Sequence, residues 1–154
     1  MKKVLLLLLS VIILSACSSQ EGSIKEASKV VYKYDDAKYH VNDKAAIKYV
    51  YDQKTYKEAT RSIKEKALSY EDMKFKAYPL DDKNDKIAMF VEFKWPASAS
   101  GSVENFYLVR KKGDEYKIDL EESRKINWRD IDAQYKGYCI NQECIGQKNK
   151  EVIK

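Results

Sequence analysis

The chain has 154 residues and a formal net charge of +5, with 44 % hydrophobic and 34 % charged residues. Two of its 29 basic residues sit in the first three positions, and the rest are interspersed with acidic ones, so no basic stripe points to nucleic acid. Only five glycines and two prolines, against twelve tyrosines, exclude a low-complexity or disordered chain and supply the bulk for a single core.

The N-terminus begins with the positive pair Lys2-Lys3, followed by an apolar run from Val4 to Leu14 broken only by Ser10. That run is shorter than the roughly 20 residues needed to span a bilayer and has the length of a secretory h-region. It closes on Leu14-Ser15-Ala16-Cys17. This string resembles the lipobox of bacterial lipoproteins, in which a signal peptide is cut before a cysteine that receives acyl chains. The resemblance implies a signal peptide over residues 1–16, lipid (diacylglyceryl, with palmitate-type acylation) on Cys17, and an exported chain held on a bacterial cell membrane or outer membrane.

Residues 18–29 (SSQEGSIKEASK) are small, polar and charged. With Cys17 they read as a flexible tether, 17–29, ahead of a domain over 30–120. Val30 to Tyr34 is a short β-prone or helix-entry segment. Asn42-Asp43 offers a helix N-cap, and apolar residues recur at spacings of three and four from Ala45 to Leu68, with an interruption at Asp52-Gln53-Lys54. Two or three short helices are therefore expected between residues 43 and 69.

After Ser69 the hydrophobic period changes to two. Met73, Phe75 and Ala77 alternate with lysines, residues 79–85 form a polar turn, and Ile87 to Trp95 alternate most regularly of all. A loop over 96–102 precedes residues 106–111, and Lys112-Gly113-Asp114 is a tight turn leading to Tyr116, Ile118 and Leu120. These elements predict an α+β domain with about four antiparallel strands following a helical layer.

That order resembles the NTF2-like (cystatin-like) superfamily, and in particular the small bacterial lipoproteins of the DUF4878 group. The strings that carry it are AAIKYVYDQKTYKEA at 45–59 and the closing hairpin Phe106-Tyr107-Leu108-Val109-Arg110, Gly113-Asp114, Tyr116-Lys117-Ile118-Asp119. The resemblance covers about residues 43–120. It implies short N-terminal helices on a strongly bent sheet, a cone with a cavity at its open end, and pocket-lining candidates Tyr49, Tyr56, Phe90 and Tyr107. Residues 121–154 form a C-terminal extension that caps the cone or makes a separate flap.

With Cys17 assigned to lipid, Cys139 and Cys144 remain. In an oxidising compartment, two thiols five positions apart are expected to form a local disulfide. A metal site is not expected, since the only histidine, His40, is distant in sequence. Some NTF2-like relatives, the ketosteroid isomerase-like enzymes, pair a buried aspartate base with a tyrosine oxyanion hole. Here Asp35, Asp36, Asp81, Asp82 and Asp85 read as residues of charged loops, and no phosphate loop, nucleophile elbow or paired-carboxylate motif is present. His40 reads as a surface or helix-entry residue without a partner. The expected function is therefore a non-catalytic envelope lipoprotein that needs no cofactor and binds a small apolar ligand or a protein partner. The alternatives are an accessory module of a secretion or conjugation assembly, or an isomerase-like enzyme.

Overall fold

The computed structural model describes residues 2–40, 42–58, 67–94, 101–142 and 150–153, with side chains described from residue 20 onward except at residue 150. Helix α1 runs Lys2–Tyr39. Its buried positions Ile24, Ala27, Ser28, Val31, Tyr34 and Asp35 recur at three and four residues and form one continuous stripe. Part of the segment expected to be a tether is therefore a structural helix, and Val30 to Tyr34 continue it rather than starting a strand. Composition hides this because the stripe is built largely from small residues. Ala27 and Ser28 contribute little hydrophobicity, yet they let the helix lie close against the sheet. The Ser28 hydroxyl lies 2.5 Å from the Tyr70 hydroxyl.

Helix α2, Asp43–Ala46, is capped by Asn42, whose Oδ1 accepts from the Ala45 N–H at 3.2 Å. The chain then tightens into 3₁₀ turns at Ile47–Tyr49 and Gln53–Thr55. The break near Asp52 lies where the sequence puts it, and the Asp52 carboxylate caps the second turn by accepting from the Lys54 N–H at 3.0 Å. The helical pattern at 59–66 lies outside the described residues, and Ala67 and Leu68, expected in a helix, belong to irregular chain.

Four strands follow as an antiparallel meander: β1 Lys74–Pro79, β2 Lys86–Lys94, β3 Ser102–Lys112 and β4 Glu115–Asp119. Gly113 takes φ +66° in the β3–β4 turn, a backbone conformation that glycine adopts without steric cost. Two further helices, α3 Leu120–Ser123 and α4 Trp128–Gln134, lead into β5 Gly137–Ile140 and β6 Lys150–Ile153. β5 pairs antiparallel with β1, and β6 runs parallel to β5, giving the order β4-β3-β2-β1-β5-β6.

The sheet is thus an open mixed sheet of six strands, not about four. The C-terminal extension enlarges it instead of capping an opening or standing apart as a flap. All four residues of β5 are buried, so this strand carries no polar alternation by which a period of two could be read.

One face of the sheet packs on α1. Phe75 and Ala77 from β1, Ile87, Met89 and Val91 from β2, Val109 from β3, and Tyr116 and Ile118 from β4 meet Ile24, Ala27 and Val31 in one core. Each fully buried large apolar side chain contributes roughly 1.5–3 kcal/mol. The β4 edge is partly covered, because Val50 bridges Ile118 in parallel and the Tyr51 N–H donates to the Ile118 carbonyl at 2.8 Å.

Candidate functional site

Asp35 lies on the α1 stripe and is fully buried. Its Oδ1 accepts from the Tyr107 hydroxyl at 2.5 Å and from the Asn105 amide at 3.2 Å, both on β3. Its Oδ2 has no hydrogen-bond partner among the described residues. Burial pushes this carboxyl up to about 7, against the lowering effect of the Tyr107 and Asn105 hydrogen bonds. Burial also raises the Tyr107 phenol well above its ordinary value, with the neighbouring Asp35 charge adding to the effect.

A relay of rings extends from this pair. Tyr34 stands edge-on to Tyr107 at 5.6 Å between centroids and to Tyr56 at 6.5 Å. Tyr56 in turn donates to the Asp43 carboxylate, and the Lys38 ammonium lies 4.4 Å over its ring. Asp35, expected in a charged loop, is instead a buried residue of α1. Extending a helical period from Ile24 and Val31 reaches position 35 and would have found it. Asp36 is also helical, and His40 does have a partner, its Nδ1 lying 3.2 Å from Asp36 Oδ1.

The four expected pocket residues share none of the three clefts found among the described residues. Tyr107 and Tyr56 belong to the ring relay on the helix side of the sheet. Tyr49 lines a separate cleft of about 420 Å³ with Tyr32, Asp36, His40 and Asn42. Phe90 lies on the opposite face of the sheet. Of the cysteines, Cys139 is buried in β5, while Cys144 and the Cys17 side chain lie outside the described residues.

On that opposite face, register brings Lys76, Phe90 and Phe106 into one row across β1, β2 and β3. Phe90 and Phe106 have ring centroids 5.0 Å apart, and Trp128, at the start of α4, reaches Phe106 at 4.8 Å. Helix α4 is also tied to β1 by the Tyr78 hydroxyl, which donates to Asp132 Oδ1 at 2.5 Å. These residues line a small pocket of about 160 Å³ comprising Lys76, Tyr78, Phe90, Phe106, Trp128 and Asp132. Phe106 remains 38 % exposed at its mouth.

A third cleft, of about 550 Å³, lies between Lys25 and Lys29 of α1 and Ile140, Val152 and Ile153 of the C-terminal strands. Asp35 lines none of these three clefts. Among the described residues no group of three or more metal-ligating side chains occurs, and no helix is long and apolar enough to cross a membrane.

No protein-family model matches the chain, and no curated protein or solved structure shows significant similarity to it.

Proposed function

We propose that this chain is an exported cell-envelope lipoprotein, acylated at Cys17, whose domain is a non-catalytic recognition module. Its finer placement in the NTF2-like superfamily rests on the helix, Asp52 break and closing hairpin described above. The observation that carries the recognition reading is the exposed Phe106 ring, backed by Phe90 and Trp128 on the sheet face away from α1. A large aromatic ring left partly in water while its neighbours fix its position is a preorganised contact for a ligand or partner. The buried Asp35–Tyr107 pair lies on the other face and lines none of the three clefts described above, so the recognition reading is built on the outer face. The terminal strand β6, with Val152 48 % exposed, favours a second reading, in which the sheet edge joins a larger assembly by strand addition.

Two measurements test the proposal. Cys17→Ser should move the protein from the detergent phase to the aqueous phase in a phase-partition assay, and unchanged membrane retention overturns the lipid anchor. A photo-crosslinking residue at position 106 should give a discrete adduct in cells, while one at Asp114 in the β3–β4 turn should not. Absence of an adduct at 106 overturns a protein partner on this face.

A further inference from the structure

We propose that the pocket between Phe90, Phe106, Trp128, Lys76 and Asp132 binds a single neutral sugar ring of the pyranose class. This inference rests on reading the outer sheet face as a recognition surface and names what that surface takes.

Size sets the first limit. A pocket of about 160 Å³ lies well below the roughly 300 Å³ at which sites for drug-sized ligands begin. It admits one small ring or one unit of a longer chain whose remainder stays outside.

Charge sets the second limit. Lys76 from β1 and Asp132 from α4 both line the pocket, so it carries both signs. A cationic ligand meets the Lys76 ammonium, which already lies 5.5 Å over the Phe90 ring in the position a guest cation would take. An anionic ligand meets the Asp132 carboxylate. A wholly apolar ligand would desolvate both charged groups without replacing their hydrogen bonds.

A neutral molecule with an apolar face and a polar rim meets none of these penalties. A pyranose has an apolar C–H face that can lie on the Phe106 and Trp128 rings. Its hydroxyls can donate to the Asp132 carboxylate and accept from the Lys76 ammonium. The hydrogen bond from Tyr78 to Asp132 and the tilted contact of Phe106 with Trp128 fix the polar and apolar walls relative to each other before binding, which lowers the cost of ordering them.

The test is a titration of the isotopically labelled full chain, followed by two-dimensional amide and indole N–H spectra. The probes are glucose, N-acetylglucosamine and their β-1,4-linked dimers. The expected result is a saturable shift of the Trp128 indole N–H and of residues around Phe106 and Asp132, with a dissociation constant on the order of 1 mM. Asp132→Asn, which preserves side-chain size, should weaken binding about tenfold, as should Trp128→Ala provided its spectrum remains that of a folded protein. No saturable shift with any of the four sugars in the folded wild-type protein overturns the proposal, as does an affinity unchanged in Asp132→Asn. If the sugars fail while the crosslinker at position 106 still captures a partner, the recognition face stands and only the sugar assignment falls.

Discussion

The Tyr107 hydroxyl donates to Asp35 Oδ1 at 2.5 Å across the interface between α1 and β3. This places a carboxyl group in the middle of the core that otherwise joins helix to sheet by apolar contact. A buried carboxyl with one oxygen unpaired is costly when ionised, and the consequence is measurable.

The first prediction concerns pH. Folding raises the Asp35 carboxyl from the ordinary 3.8 to about 7, so between those values the native state holds a proton that the unfolded chain has released. The associated stability is fully present below the unfolded pKa and is lost as pH rises through the folded one. Chemical denaturation should therefore find the protein less stable at about pH 8 than at about pH 5, by up to a few kcal/mol. Asp35→Asn should flatten that difference and be the more stable protein at about pH 8. Equal pH slopes in the two proteins would contradict the assignment.

Tyr107→Phe removes the donor and leaves Asn105 as the remaining described hydrogen-bond partner of Asp35. Leaving a buried acceptor short of a partner costs about 1–3 kcal/mol. The loss should be coupled to Asp35, because the two groups form one network. A double-mutant cycle with Asp35→Asn should return a non-zero interaction energy, and strict additivity would show that the contact is energetically silent.

The stretch 17–29 supplies the third test. A mere tether could be removed without consequence, but Ile24, Ala27 and Ser28 are fully buried. A chain trimmed to begin at residue 30 should lose its cooperative thermal transition or melt far lower. Ile24→Ala alone should cost about 2–4 kcal/mol. An unchanged melting temperature in the trimmed chain would restore the tether reading.

The expected Cys139–Cys144 disulfide needs a test adapted to burial. Cys139 is inaccessible in the folded protein, so a native thiol would escape alkylation whether or not it is bonded. Alkylation in denaturant without reductant, followed by intact mass, should leave both residues unmodified in the exported protein. Two added alkyl groups at these positions would exclude the bridge.

The sequence alone determined the α+β class, the period-two strands β1 to β4, the turn at Gly113 and the break at Asp52. These features are local: alternation, capping side chains and glycine leave their marks within a few residues. Only tertiary structure decided the rest. Lys76, Phe90 and Phe106 share a row because three separate strands pair in one register, and Trp128 joins them because α4 folds back over that face. β5 is a strand because β1 offers it an unpaired edge, although its own four residues show no alternation. Asp35 looks like one acidic residue in a polar stretch until α1 is known to run unbroken past Ile24 and Val31, which turns it inward towards Tyr107. Burial depends on what another segment brings to the contact, and a pattern within a single segment does not record that.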